Sequence, residues 1–173
     1  PKVVAEIGCN HKGEIEVAKE MIEIAKSYCD VHAVKFQKRN PKELLTKKEY
    51  DSPHPNPINS YGKTYGEHRE KLEFSIDIHR ELKKFCEDIE IVYSTSVWDI
   101  TSAKEVISLN PKFIKVPSAC NLNKELLNIL SKEYSGEIHL SLGMTTQDEQ
   151  LKIIDFFEQN NSCLLYTSDA ADE

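Results

Sequence analysis

Features that would direct this chain to a membrane, a secretory route or a nucleic acid are missing from its 173 residues. No apolar run approaches the ~20 residues that a membrane-spanning helix needs, and no basic segment followed by an apolar one resembles a signal peptide. Basic residues are not in excess, because 22 Lys and Arg stand against 29 Asp and Glu. We therefore expect a cytoplasmic protein that binds no nucleic acid and no membrane.

The closely spaced residues of metal, disulfide and dinucleotide sites are also missing. The six histidines form no HxH or HExxH motif, and no GxGxxG loop is present. The five cysteines form no CxxC motif and are widely scattered: Cys9, Cys29, Cys86, Cys120 and Cys163. We predict free thiols in a reducing compartment rather than a disulfide framework or a zinc site.

The two ends of the chain are unusual. It begins at Pro1 rather than at Met, and residues 163–173 (CLLYTSDAADE) match the read-through translation of a transposon adapter used in sequencing libraries. We interpret residues 163–173 as not native. Residues 1–162 are then expected to be one partial domain from the N-terminal part of a longer protein.

Short runs rich in β-branched and aromatic residues alternate with longer segments of helical periodicity. The pattern predicts strands at 3–7, 33–37, 91–94, 113–116 and 138–142. It predicts helices at 14–28 and 67–87, a third with a capping box at Ser102 and Glu105, a fourth around Leu126 to Leu130, and a fifth with a capping box at Thr146 and Glu149. Residues 38–66 are predicted to be a long polar loop, and loops of that length are usually functional.

Five strand–helix repeats predict a parallel sheet with right-handed crossovers. Thr95, Ser118 and Ser141 end successive strands at an even spacing of 23 residues. This regularity favours a (β/α)₈ TIM barrel, truncated after about five βα units, since a complete barrel takes about 250 residues. A doubly wound sheet is the alternative, although the chain has no glycine-rich dinucleotide loop.

Polar side chains collect at the predicted carboxyl ends of the strands, where barrel active sites are built. Because side chains alternate along a strand, Lys35 and Gln37 share one face and point into the barrel mouth. An unpaired buried ammonium is costly. Lys35 therefore either pairs with a carboxylate such as Glu6 or holds an anionic substrate.

A second lysine, Lys115, has hydroxyl-bearing residues around it in the same predicted region. Thr95, Ser118 and Ser141 follow neighbouring strands, and together with the lysine they form a donor-rich set suited to phosphate and carboxylate groups. Each hydroxyl taken alone is more often a turn or cap residue. Only their recurrence at successive strand ends indicates a binding site.

Six segments in order resemble the sialic acid synthase (N-acetylneuraminate synthase) family. They are AEIGCNHKG at 5–13, AVKFQ at 33–37, YGKTYGEHR at 61–69, YSTS at 93–96, IKVPS at 114–118 and LSLGMTT at 140–146. The resemblance implies a TIM-barrel transferase of carbohydrate biosynthesis. Such an enzyme condenses phosphoenolpyruvate with an N-acylated hexosamine, such as N-acetylmannosamine, to a nine-carbon 2-keto acid and free phosphate.

The resemblance also implies roles for individual residues. Glu6 falls on the acid near the reacting carbons, and Lys35 acts with it as a catalytic residue that also holds phosphoenolpyruvate. Gln37 and Asn59 fall where the family holds the sugar. The remaining phosphoenolpyruvate contacts fall on Thr95, Lys115, Ser118 and Ser141. Two departures, Ala119 to Asn121 after IKVPS and His32 before AVKFQ, leave the identity of the sugar open.

The family further implies a divalent metal, Mn or Mg, whose two histidine ligands lie on later strands and are not expected in this fragment. It implies a homodimer for the full-length protein, and an inactive fragment. Of the histidines present, His11 and His68 are expected to rim the barrel mouth and the others to be surface or packing residues.

Two other functions remain open. One is another phosphoenolpyruvate-dependent synthase that makes eight- or seven-carbon keto-sugar acids, which LSLGMTT and YGKTYGEHR disfavour. The other is a non-catalytic barrel that binds sugar phosphates. The presence of both Lys35 and Lys115 disfavours that second alternative.

Overall fold

Strands and helices alternate along the chain in the computed structural model, which describes residues 2–160 and 163–167. The strands are β1 (Val4–Gly8), β2 (Ala33–Lys38), β3 (Val92–Val97), β4 (Phe113–Val116), β5 (Glu137–Ser141) and β6 (Leu164–Thr167). The α-helices are α1 (Ile15–Ser27), α2 (Pro41–Leu44), α3 (Lys47–Tyr50), α4 (Tyr65–Lys71), α5 (Ile76–Asp88), α6 (Ile100–Leu109), α7 (Lys124–Glu133) and α8 (Gln147–Gln159). Single 3₁₀ turns lie at Pro57–Asn59 and Ser118–Cys120.

The first of two compact units comprises Pro1–Tyr93. In it β1 and β2 pair in parallel, with Glu6 opposite Lys35. The start of β3 follows beside β2, since the Val92 N–H donates to the His32 carbonyl. The buried interior of this unit is aromatic and aliphatic, and its fully buried members include Ile22, Val34, Phe36, His79 and Leu82.

The second unit comprises Ser94–Glu173. Here β3, β4, β5 and β6 are parallel neighbours in chain order. Their outward side chains and the helices α6, α7 and α8 enclose one apolar core, whose fully buried members include Val97, Val106, Ile114, Leu126, Ile138 and Phe157. In neither unit does the strand order reverse, as it would in a doubly wound sheet. The predicted parallel α/β architecture of barrel type is confirmed.

The segment 38–66 is more structured than the sequence predicts. It contains α2, α3, the turn Pro57–Asn59 and the start of α4. Each short element has a side-chain cap at its first turn, and Thr46 and Glu49 form a full capping box at α3. Capping side chains satisfy the free N–H groups of such short helices, which hydrophobic periodicity cannot reveal.

The single long helix expected at 67–87 is wrong, because α4 ends at Lys71 and α5 begins at Ile76. Ser75 is extended (φ −65°, ψ 162°) and caps α5 by accepting from the Ile78 N–H. Between the helices the Phe74 side chain is buried and the Glu73 carboxylate binds Arg39. Tertiary contacts of Glu73 and Phe74 therefore interrupt a sequence whose apolar spacing continues through the break.

Two capping predictions have different outcomes. The box at Thr146 and Glu149 is confirmed at the start of α8. The box at Ser102 and Glu105 is wrong, because Asp99 caps α6 and accepts from both the N–H and the hydroxyl of Ser102. The helix therefore begins at Ile100, three residues before the start that a cap at Ser102 would give.

Residues 164–167 form β6, which pairs in parallel with β5. The prediction that residues 163–173 are not native stays a prediction, and residues 168–173 lie outside the described part. Across the residues that are described, no helix is long and apolar enough to cross a membrane. All five cysteines are free, as predicted.

The first prediction concerns acid sensitivity. Burial lowers the pKa of His79 to about 3, from an ordinary value of 6.5. Below about pH 6.5 the histidine is protonated in the unfolded chain but stays neutral in the folded chain. The free energy of unfolding therefore falls as the pH drops below that value. His79 should account for about 2 kcal/mol of the decrease in the free energy of unfolding between pH 7 and pH 5. In His79→Gln this part of the decrease should be absent.

Urea unfolding curves at both pH values test this, with exposed His32→Gln as the control. An unchanged pH dependence in His79→Gln would show that His79 titrates normally in the folded chain.

Candidate functional site

The ends of β1 and β2 bring a carboxylate and an ammonium together. Glu6 Oε2 lies 2.8 Å from Lys35 Nζ, and the Lys35 side chain is only 12% exposed against 48% for Glu6. On the opposite face of β2, Val34 and Phe36 are fully buried, as alternation predicts. Of the two alternatives for Lys35, the structure shows the pair, with its carboxylate side open to solvent.

Gly8 ends β1 with φ +57°, a left-handed conformation, at an irregularity in the β1–β2 register. A Cβ placed on Gly8 would lie 3.4 Å from Glu6 Oε1 and 3.6 Å from Gln37 Nε2. Gly8 therefore lies between the Glu6 carboxylate and the Gln37 amide. The structure thus brings Glu6, Lys35 and Gln37 into one group at these strand ends, as the sequence predicts.

Directly beyond this group lies a buried ionic cluster that sequence reasoning missed. Arg39 Nε donates to Glu73 Oε1 at 2.6 Å, the Arg39 N–H donates to Glu73 Oε2 at 3.0 Å, and Arg39 Nη2 lies 2.8 Å from Cys9 Sγ. Burial raises the pKa of Glu73, and the Arg39 guanidinium opposes that shift. Burial also raises the pKa of the Cys9 thiol to about 11. Cys9 is therefore a neutral thiol and a poor nucleophile at neutral pH.

His11 is buried rather than at the rim of a mouth, which corrects the expectation for it. Its ring stacks on Phe74 at 3.9 Å between centroids, and Nδ1 accepts from the Gly13 N–H at 3.0 Å. Burial lowers the pKa of His11 to about 4, although a hydrogen bond to the Gly8 backbone opposes that shift. His11 is therefore a neutral ring that fixes the loop after β1.

Asn59 lies on the surface of the first unit. It ends the 3₁₀ turn Pro57–Asn59 and is exposed. Nearby in sequence, His68 is half-buried and its Nδ1 accepts from the Tyr61 N–H at 3.2 Å, while its ring lies 4.2 Å from that of His54. The role of Asn59 in holding a sugar stays a prediction.

In the second unit, the register of β3 and β4 determines which hydroxyl accompanies Lys115. Ser96 is opposite Lys115, whereas Thr95 is opposite the core residue Ile114. Lys115 is 5% exposed and Ser96 is 4% exposed. Ser96 is thus the β3 hydroxyl nearest in register to the lysine, and it was given no role from the sequence.

Ser118 and Ser141 follow β4 and end β5, and both are buried. The Asn121 side chain holds the chain after β5, since its Nδ2 donates to the carbonyls of Ser141 at 3.0 Å and Gly143 at 2.9 Å. The Ser118 hydroxyl is buried and has no hydrogen-bond partner among the described residues. A buried hydroxyl of this kind can donate to a substrate oxygen at no cost in protein contacts.

Each unit therefore presents a lysine with polar groups at the carboxyl ends of its strands. Such sets bind phosphate and carboxylate groups. Within residues 2–160 and 163–167, no three His, Cys, Asp or Glu side chains are arranged to hold a metal ion.

Comparison with known proteins identifies relatives over most of the chain. The family model described as "NeuB family" matches residues 21–169. The chain is 34% identical over 170 residues to the N-acetylneuraminate-9-phosphate synthase of Homo sapiens, covering 97% of this chain and 46% of that protein. It is 29% identical to the N,N'-diacetyllegionaminic acid synthase of Campylobacter jejuni, covering 85% of this chain and 43% of that protein.

A solved structure agrees at the level of the fold. The crystal structure of N-acetylneuraminic acid synthetase from Leptospira borgpetersenii, in complex with citrate, superposes with a TM-score of 0.78 at 20% identity. The match covers 96% of this chain and 53% of that one. The chain thus spans less than half the length of the two curated relatives above and about half of this solved chain.

The cluster beyond β2 supplies the second prediction. Glu73→Gln removes the charge that compensates buried Arg39 and should lower the free energy of unfolding by about 3 kcal/mol. The matched control is Glu81→Gln, whose carboxylate is 57% exposed in its pair with Lys19, so that the pair should be worth less than about 1 kcal/mol. Urea unfolding of both variants provides the comparison. Equal stability of the two would mean that the Arg39–Glu73 pair does not contribute to folding.

Proposed function

Because the chain belongs to the NeuB family, we propose that it is part of a synthase that condenses phosphoenolpyruvate with an N-acylated hexosamine. The product is a nine-carbon 2-keto acid, and phosphate is released. The observation that carries the proposal is the paired Glu6 and Lys35 at adjacent strand ends, with Gln37 beside them. This group supplies a carboxylate, a cation and an amide to a reaction that needs all three.

The proposed chemistry begins when carbon 3 of phosphoenolpyruvate attacks the aldehyde carbon of the open-chain sugar, and the aldehyde oxygen takes a proton from solvent. Carbon 2 becomes an oxocarbenium-like centre and adds water, which gives one proton to Glu6 and leaves a hydroxyl on carbon 2. As the bond from carbon 2 to the phosphate oxygen breaks, that hydroxyl passes its proton to the departing phosphate, which leaves the ketone and free phosphate. Glu6 then returns its proton to solvent. Glu6 acts as the general acid–base group and also stabilises the cationic centre.

The remaining roles follow the chemistry of each side chain. Lys35 and Lys115 are proposed to neutralise the phosphate and carboxylate of phosphoenolpyruvate, and Ser118, Ser141 and Thr95 to donate to their oxygens. Support comes from the burial of Lys115 and from the buried Ser118 hydroxyl, which has no partner among the described residues. Gln37 and Asn59 are proposed to hold the sugar.

The family resemblance also implies a divalent metal, which would polarise the aldehyde. The described residues do not fit such a group, so we assign no step in this chain to a metal and propose that its ligands belong to a longer protein. A homodimer and a cytoplasmic location are likewise proposals. Since the chain covers less than half of its curated relatives, we propose that it is inactive by itself.

Two classes of sugar substrate remain possible, and they differ in whether carbon 9 of the product carries a phosphate. Phosphoenolpyruvate contributes three carbons, so carbon 9 of the acid is carbon 6 of the hexosamine. One relative is named a 9-phosphate synthase and the other a diacetyllegionaminic acid synthase, a name without a phosphate. The sugar is therefore either a free N-acylated hexosamine, such as N-acetylmannosamine, or its 6-phosphate.

A direct assay separates this function from the alternatives. A complete protein that carries this chain, incubated with a divalent metal, phosphoenolpyruvate and either N-acetylmannosamine or its 6-phosphate, should release phosphate and form a nine-carbon keto acid. Turnover with a five- or four-carbon aldose phosphate instead would indicate the eight- or seven-carbon synthase. Binding of sugar phosphate without phosphate release would indicate a non-catalytic barrel.

The third prediction concerns phosphoenolpyruvate binding. Lys35→Ala in the complete protein should cost about 2–4 kcal/mol of phosphoenolpyruvate affinity through loss of a charged hydrogen bond. Isothermal calorimetry measures this, with exposed Lys84→Ala on α5 as the matched control. Unchanged affinity in Lys35→Ala would assign the lysine to a purely structural pair.

The fourth prediction concerns Glu6. Glu6→Gln should retain the fold and phosphoenolpyruvate binding, because Glu6 is half-exposed and its amide replacement is isosteric. It should lower kcat by roughly 10²-fold or more, the scale of a general acid–base group. The measurement is kcat alongside the melting temperature, with exposed Glu87→Gln as the control. A lower melting temperature with intact turnover per folded molecule would make Glu6 a structural partner of Lys35.

A further inference from the structure

One face of β5 carries two titratable side chains that have no role in the proposed chemistry. Ile138 and Leu140 belong to the apolar core between the strands and the helices. Because side chains alternate along a strand, Glu137, His139 and Ser141 share the opposite, inward face. Ser141 is a proposed phosphoenolpyruvate contact. The sequence predicts His139 only as a surface or packing residue and assigns nothing to Glu137.

Two contacts hold the His139 ring in place. Its Nε2 lies 3.3 Å from Glu137 Oε2, and its ring stacks on that of Phe113 in β4, with 4.2 Å between centroids and 12° between the planes. The His139 side chain is 25% exposed, against 41% for Glu137. A carboxylate beside an imidazole stabilises the protonated ring, and histidine is the side chain that changes charge near neutral pH.

The β4–β5 register places His139 beside a lysine. His139 is opposite Lys115, and residues opposite each other in parallel strands point to the same face, with the strands about 4.8 Å apart. Lys115 is in turn opposite Ser96 of β3. On its other side His139 is opposite Leu165 of β6, which carries no charge. Among the described residues opposite or two positions from His139, the charged ones are therefore Lys115 and Glu137.

Protonation of His139 changes the charge of this inward face by one unit. When the imidazole is neutral, the charges of Lys115 and Glu137 cancel each other. When it is protonated, the three side chains carry a net charge of +1. A unit charge about 10 Å from an anion changes its affinity roughly 10-fold at the effective dielectric constant of about 20 that suits protein sites. An anion that binds beside Lys115 should therefore favour the protonated form of His139.

We propose that His139, held by Glu137, is a proton-linked positioning residue of the phosphoenolpyruvate site. The imidazole takes a proton from solvent when the anion binds beside Lys115, and it returns that proton to solvent when phosphate leaves. This inference rests on the proposed function, in which Lys115 binds phosphoenolpyruvate, and it adds control of that site by pH. His139 acts through its charge beside Lys115 and not on the reacting atoms.

The test is calorimetry of phosphoenolpyruvate binding to the complete protein at pH 7, in two buffers with different ionisation enthalpies. The difference in heat gives the number of protons taken up. Titration of phosphoenolpyruvate itself is common to all variants, so differences between variants report on the protein. His139→Gln should take up about half a proton fewer than the unsubstituted protein. The control is exposed His32→Gln, which should match the unsubstituted protein.

The pH dependence of the affinity gives a second measurement. Between pH 6 and pH 8 the dissociation constant should rise about 10-fold more in the unsubstituted protein than in His139→Gln. Glu137→Gln removes the carboxylate that stabilises the imidazolium, so it should retain the pH-dependent change but move it to lower pH. If His139→Gln does not fold, this displacement in Glu137→Gln decides the proposal.

A purely structural role gives different results. Equal proton uptake in His139→Gln and the unsubstituted protein would overturn the proposal, as would an equal loss of affinity at every pH. An unmoved pH dependence in Glu137→Gln would also overturn it. In these cases the Glu137–His139 pair and the stack on Phe113 serve only to fill the space between the strands.

Failure of the inference is distinguishable from failure of the proposed function, because calorimetry needs no turnover. Formation of the keto acid without proton uptake that depends on His139 would leave the function standing and end the inference. Binding of phosphoenolpyruvate with that proton uptake, but without any keto acid from an N-acylated hexosamine, would do the reverse.

Discussion

The pairing of Glu6 with Lys35 fixes how the charged groups of the first unit are arranged at its strand ends. Parallel strands that are covered by helices are apolar, and an ammonium at their ends is stabilised by a neighbouring carboxylate. The β1–β2 register places Glu6 opposite Lys35, so a shift of one residue would leave the lysine unpaired and turn Val34 and Phe36 out of the core. The same register that buries the apolar face thus places two oppositely charged side chains at the strand ends.

The second unit also contains a buried lysine beside a hydroxyl-bearing residue, and an asparagine side chain that binds two backbone carbonyls. Lys115 is almost fully buried in β4 and has Ser96 opposite it in register. Asn121 binds two carbonyls of the chain after β5 and so fixes the position of Ser141. These contacts hold polar groups in place before any ligand arrives. Such preorganisation is what makes donors effective against a developing negative charge.

The sequence predicts five of the six strands, and the pair of Glu6 with Lys35 is one of the two alternatives that it leaves open for the lysine. The reasons are local. Side chains alternate along a strand with a period of two, so Lys35 and Gln37 must share a face. Glu6 is near the end of the neighbouring strand and is therefore the candidate partner of Lys35. The break between α4 and α5 could not be predicted in the same way, because Leu72, Ile76 and His79 continue a helical spacing across it. Asn121 was missed because the carbonyls that it binds lie 20 and 22 residues further along the chain. Asp99 is a local cap that was missed because Ser102 offers an alternative capping pattern three residues later.

That unpredicted break positions the loop that carries Cys9. A Cβ on Gly13 would lie 2.1 Å from the Lys71 carbonyl oxygen, so only glycine permits the loop after β1 to approach the end of α4 this closely. Because α4 ends there, Phe74 can stack on His11 and Glu73 can bind Arg39. Each contact requires the other segment to be in place, so the loop and the helix break stabilise one another. The result brings the end of α4 against the loop that follows β1, so that a segment distant in sequence packs beside the end of that strand.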